Sequence, residues 1–195
     1  MKAFLLHLNQ SPFRTISLVV LTAFLLLNIL YAGLGYHQNI DKRVRGTDSV
    51  YYFIYLPSLL FDQDVNFKNN LSYIYGEDYP IQFAPSGKPK NHWAIGPALL
   101  WAPFYLSSHC ITLGLNYFFN FALPTTGYGG LYYMSIYVAN SIYGLLGIVI
   151  TVMVLLTYFS PMATLLSALA LLLTTQLTYY FCSFSTMSHL PSFFI

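Results

Sequence analysis

From Asn91 to Ile195 the sequence contains no aspartate, glutamate, lysine or arginine. Such a run of 105 residues cannot cover a soluble domain, where about a quarter of residues carry charge. Only 7% of the whole chain is charged, and its net charge of +2 excludes the basic surface that a nucleic-acid partner needs. Cysteine is limited to Cys110 and Cys182. Both lie in apolar stretches and read as buried free thiols, not as a disulfide or a metal pair. The sequence has no HExxH, no CxxC, no Ser-His-Asp order and no glycine-rich phosphate loop, so the usual signatures of zinc hydrolysis, dithiol redox chemistry and nucleotide binding are missing. There is no internal repeat or heptad pattern.

What is there is apolar and aromatic. Hydrophobic residues make up 56% of the chain, with 18 tyrosines and 16 phenylalanines, rings suited to membrane interfaces. Twelve of the fourteen charged residues fall between Asp41 and Lys90, six basic and six acidic. This pattern predicts an all-α polytopic membrane protein: a transmembrane helix bundle with one polar segment as its first extracytoplasmic loop. Residues 1–15 are expected to form a cytoplasmic N-terminus, because Lys2 and Arg14 precede the first apolar run. Residues 16–34 are expected to span; the run is longer than a signal peptide's core of about 7–15 residues, and Tyr31 to Tyr36 makes a poor cleavage site. Residues 35–130 are then extracytoplasmic. They include two membrane-peripheral helices, 51–61 (bent at Pro57) and 93–115, which is long enough to span but is expected to be a broken peripheral helix, interrupted by Gly96, Pro97, Pro103 and Gly114, with a full span as the alternative. Residues 131–159 and 162–182 are expected to span, joined tightly at Ser160 and Pro161. A further span is expected to open at 187–195, so the chain reads as the N-terminal part of a longer protein.

Candidates for chemistry lie in the charged segment. Asp48 stands about a dozen residues beyond the first span and just before an aromatic stretch. A carboxylate at that boundary can act as a general base; the plainer role is helix capping. Lys42, Arg43 and Arg45 precede it, and Lys88, Lys90 and His92 form a second basic set. Either set can hold a lipid phosphate or simply flank apolar sequence. Asp62-x-Asp64 matches a metal and nucleotide-sugar pattern without its usual surrounding domain, which makes these two residues weak candidates for a divalent metal. It is not a calcium loop, because Phe67 and Tyr73 stand where glycine and glutamate are required. His109 and His189 lie in apolar surroundings; a packed, hydrogen-bonded histidine is the default there, and a polar group at membrane depth is also a functional hint.

The order of these features resembles the N-terminal part of bacterial multi-span glycosyltransferases of the glycosyltransferase-C superfamily. The resemblance rests on Gly46 to Tyr52 (GTDSVYY), Leu56 to Leu60 (LPSLL), Asp62-x-Asp64 and Asn91 to Phe104 (NHWAIGPALLWAPF). It is nearest to the protein-mannosyltransferase and aminoarabinose-transferase-like group, and covers residues 10–195. The resemblance implies a polyprenyl-phosphate-linked sugar as donor and a glycan, lipid or protein as acceptor. It also implies a place in the bacterial inner membrane and an essential acid in the first extracytoplasmic loop, where Asp48 falls. Protein mannosyltransferases carry an Asp-Glu pair at that point, whereas here Ser49 follows Asp48. Two other readings are a transporter or flippase of a lipid-linked intermediate and a non-catalytic membrane protein remnant.

Overall fold

A computed structural model describes residues 2–33, 47–182 and 186–195. Among the described residues the regular elements are helical, apart from an isolated antiparallel bridge between Phe83 and Pro89. In chain order they are α1 (Lys2–Gln10), α2 (Pro12–Gly33), α3 (Thr47–Phe53), α4 (Tyr55–Pro57), a π-helical turn (Ser58–Asp62), α5 (Lys68–Tyr75), α6 (Gly96–Phe119), α7 (Gly130–Tyr158), α8 (Pro161–Thr174), α9 (Leu177–Cys182) and α10 (His189–Phe194). Among the described residues three stretches are long and apolar enough to cross a membrane: Pro12–Leu30, Gly96–Phe119 and Gly130–Tyr158. At about 1.5 Å per residue they reach roughly 28, 36 and 44 Å, against a hydrocarbon core of about 30 Å. The chain divides into two compact units, and the division falls within α7.

The first unit holds α1, α2, the later part of α7, and α8 to α10. Ile16, Val20 and Phe24 fall four apart on α2 and point into its core with Leu8, Ile148, Val152, Leu165, Leu172, Phe181 and Leu190. Residues 1–15 are therefore more than a tail: α1 is helical and Leu8 is buried. The opposite face of α2 is no more polar than the buried one. Leu18, Leu21, Leu25, Leu26 and Ile29 are exposed there. A helix apolar all round suits lipid, not water.

Two glycines let side chains press against α7. A Cβ on Gly144 would lie 2.5 Å from the Phe181 ring, and one on Gly147 would lie 2.6 Å from the Phe193 ring. Phe181 is fully buried and meets Phe24 edge-on at 5.0 Å, so it has little room to retreat. Gly144→Ala is therefore expected to cost about 1–3 kcal/mol, the usual range for overpacking. Thermal unfolding of the detergent-solubilised protein measures it, and an unchanged midpoint would show that the ring can move aside.

The apolar run 162–182 does not form one helix. It breaks at Thr175 and Gln176, between α8 and α9. Threonine hydroxyls take over the carbonyls at the break: Thr174 donates to Ala170 O at 2.8 Å, Thr175 to Leu171 O at 2.6 Å, and Thr178 to Leu172 O. Side-chain bonding of this kind offers the backbone an alternative to the helical ladder.

The second unit runs from Asn39 to Ala139 and takes in Thr186–Ser188. Here α3 and α4 pack on α6, with Phe53, Ile54, Leu56, Trp101 and Tyr105 buried. Contrary to the expected break, α6 is continuous through Pro103. Pro97 sits in its first turn, where the missing N–H costs nothing. The expected helix over 51–61 is divided into α3, α4 and the π-helical turn after Pro57. Cys110 is a free thiol, but it is exposed on α6 and not buried. The side chain of Cys182 lies outside the described residues.

Candidate functional site

Asp48 lies in the first turn of α3 and is half-buried. It has no hydrogen bond or ion pair among the described residues. One turn on, the Tyr51 ring stacks on Trp93 with centroids 4.6 Å apart. The amide of Asn91 donates to Tyr51 O at 3.0 Å, and the Tyr55 hydroxyl donates to Trp93 O at 2.9 Å. Tyr75 stacks on Tyr79 at 4.3 Å, and Tyr79 is an electrostatic neighbour of Tyr51. Asp48 thus opens the helix whose next turn carries Tyr51 into this aromatic cluster, and its charge is felt by Tyr75.

Burial holds the Tyr51 phenol well above its ordinary range, helped by its neighbour Tyr79. Burial also raises Tyr75, followed by Tyr79 and the Asp48 carboxylate. These phenols stay protonated in the folded protein while they ionise near pH 10 in the unfolded chain. The unfolded state then binds fewer protons, so stability is whole below that pH and falls as pH rises beyond it. Unfolding midpoints measured from pH 8 to 11 are expected to drop only at the alkaline end. A flat profile would mean that the corner is solvated.

The structure brings one member of the second basic set to this corner. His92 precedes the stacked Trp93 and meets its ring edge-on at 6.0 Å. Lys88 and Lys90 are exposed on the preceding loop. That loop is pinned by Ala84 N to Lys88 O at 2.9 Å and Lys90 N to Gln82 O at 2.8 Å. Lys42, Arg43 and Arg45 lie outside the described residues.

Asp62 and Asp64 act locally as loop braces. Asp62 Oδ2 accepts from the amides of Asn69 and Asn70 at 2.9 and 3.0 Å. Asp64 Oδ1 accepts from the Ser58 hydroxyl at 2.9 Å and from Asn66 N at 3.0 Å. Among the described residues no group of three or more His, Cys, Asp or Glu side chains is placed to hold a metal ion. An open recess of about 510 Å³ lies beside the loop, lined by Asp64, Asn66, Asn69, Tyr73 and Glu77 among others.

A buried polar chain escaped the sequence reading. The Asn70 amide also donates to the Tyr128 hydroxyl at 2.8 Å, while its own Oδ1 is buried without a partner among the described residues. Burial raises the Tyr128 phenol, the Asn70 hydrogen bond partly offsets this, and Asp62 adds to the rise. Tyr105 donates to Gly127 O at 2.7 Å. His109, singled out as a polar residue in apolar sequence, has its partner in Tyr132, whose hydroxyl lies 2.7 Å from Nδ1. The isolated histidine was a visible signal. Asn70, Tyr128 and Tyr132 gave none, because tyrosine is common throughout this chain and their partners lie far away in sequence.

No family model, curated protein or solved structure matches the chain.

Proposed function

We propose that this chain is a polytopic membrane glycosyltransferase, or the N-terminal part of one, of the kind its motifs resemble, with Asp48 as general base. The reading rests on one observation: a half-buried carboxylate, unpaired among the described residues, stands one helical turn before the stacked Tyr51–Trp93 pair, in the segment that holds twelve of the fourteen charges, in a chain with three span-length apolar helices among the described residues. The donor's polyprenyl tail lies in the bilayer and its phosphate at the outer surface of a bacterial inner membrane, with the N-terminus cytoplasmic. An acceptor hydroxyl on a glycan, lipid or protein passes its proton to Asp48, and its oxygen attacks the anomeric carbon. The bond from that carbon to the phosphate oxygen breaks, and polyprenyl phosphate leaves with the electron pair. Attack from the opposite side inverts the anomeric centre. His92, with Lys88 and Lys90 from the same loop and Lys42, Arg43 and Arg45 before α3, offsets the charge growing on the leaving phosphate.

A second reading, a carrier of lipid-linked intermediates, draws on the His109–Tyr132 pair within span-length helices, since polar groups at membrane depth often mark a transport path. Both are tested by labelled polyprenyl-phosphate sugar in vesicles containing the full-length protein. Label appearing in an acceptor product supports the transferase. Label crossing the bilayer with no product formed supports the carrier and overturns the transferase.

A further inference from the structure

The most exposed run of large apolar side chains in the second unit is the end of α6 and the turn beyond it. Tyr117, Phe118, Phe119 and Phe121 are 81, 73, 65 and 60% exposed. Water does not favour four neighbouring rings on a tip, and soluble surfaces rarely carry so dense an apolar patch. The tip is also not loose. Asn116 grips Leu123 twice: its Nδ2 donates to Leu123 O at 2.9 Å, and its Oδ1 accepts from Leu123 N at 2.7 Å. Asn120 ends the helix in the left-handed region with φ 54°. The Phe119 and Phe121 rings stack at 5.9 Å, and Tyr117 meets Phe118 edge-on at 4.9 Å. The protein thus holds the rings outward.

We infer that this tip is a membrane-interface anchor, and that its occupant is the phospholipid headgroup–acyl boundary. Three features select lipid. The tip continues the exposed apolar flank of α6, formed by Leu99, Leu106, Ile111 and Leu113, on a helix of span-length hydrophobicity. No Asp, Glu, Lys or Arg stands anywhere from Asn91 onward, so a charged protein partner would find nothing to pair with. The patch is built of Phe and Tyr, rings that favour the interface over the acyl core. The α7 helix ends in a like manner, with exposed Tyr158 and Phe159. The anchor fixes the depth of the C-terminal end of α6 at one membrane surface. It rests only on the membrane part of the proposed function; sugar transfer can fail while the anchor stands.

The test uses the full chain in phosphatidylcholine vesicles, with Cys110→Ser and Cys182→Ser as background and an environment-sensitive nitrobenzoxadiazole dye attached at Phe118→Cys. Tyr73→Cys, exposed in the charged segment, carries the same dye as the aqueous reference. Lipids brominated near the headgroup or near the chain ends serve as quenchers. The expected result is blue-shifted emission at 118 relative to 73, quenched more strongly by the shallow bromines. Should Phe118→Cys not insert, Tyr117→Cys reads the same tip. Water-like emission without quenching overturns the anchor. Blue-shifted emission that no bromolipid quenches overturns it in favour of a protein covering the tip. Stronger quenching by the deep bromines overturns it in favour of a fully embedded loop.

Discussion

Asp48→Asn is expected to lower sugar transfer by about 10²–10⁴-fold, the range a positioned base contributes, while leaving insertion and thermal stability nearly unchanged. The two effects separate because they draw on different properties of the side chain. Asparagine is nearly isosteric with aspartate, and Asp48 lies within the first turn of α3 without a hydrogen bond among the described residues, so α3 keeps its first turn. What is lost is negative charge, which near a helix start is worth about 0.3–1 kcal/mol, and all capacity to accept a proton at neutral pH. The stacked Tyr51–Trp93 pair, at 4.6 Å, stays as it was. Asp48→Glu keeps the charge but moves it by one methylene, and is expected to retain part of the activity. The assay is transfer from the labelled donor pool, normalised to protein recovered in membranes. Wild-type transfer by Asp48→Asn would leave Asp48 as a favourable charge near a helix start and end the proposed mechanism.

Gly127→Ala is expected to be the most destabilising small substitution in the second unit, at about 2–5 kcal/mol. Two costs add. Gly127 has φ +85°, a conformation that costs a residue with a Cβ about 1–2 kcal/mol. Its Cβ would also lie 2.5 Å from the Tyr105 hydroxyl and 2.9 Å from the Phe61 ring, and such overpacking costs about 1–3 kcal/mol. The same Tyr105 hydroxyl donates to Gly127 O, so relieving the clash stretches a buried hydrogen bond. Gly129→Ala separates the terms: its φ of +129° is also unfavourable, but its Cβ would meet only Pro124 at 3.6 Å. Tyr105→Phe combined with Gly127→Ala should recover part of the loss, as a double-mutant cycle would reveal. If Gly127→Ala and Gly129→Ala shift the thermal midpoint equally, the close packing around Gly127 is not a constraint.

The long apolar runs were legible because their signal is local. The run 16–34 corresponds to helix Pro12–Gly33, and 131–159 to Gly130–Tyr158. Misreadings came where single residues carry opposite meanings. Pro103 looked like a breaker and proved to be tolerated inside α6. Thr174, Thr175 and Thr178 looked like filler in a hydrophobic segment and proved to end α8. At the candidate site the carboxylate itself was legible, since a charge next to an aromatic stretch is conspicuous. Its surroundings were not. Nothing local in the sequence says that Tyr51 will stack on Trp93, or that Asn70 will reach Tyr128. Such pairings depend on how loops close, and loop closure leaves no periodic trace.

The two glycines on α7 also bear on how the protein is made. Gly144 and Gly147 open hollows that Phe181 and Phe193 fill, yet both rings come later in the chain than the helix they complete. At a synthesis rate of about 5–20 residues per second, α7 waits roughly two to ten seconds for them. During that interval its hollows are unfilled by their final partners. The first unit therefore acquires its final packing only as translation reaches α9 and α10, and α2, whose Phe24 packs on the same Phe181 ring, waits longer still.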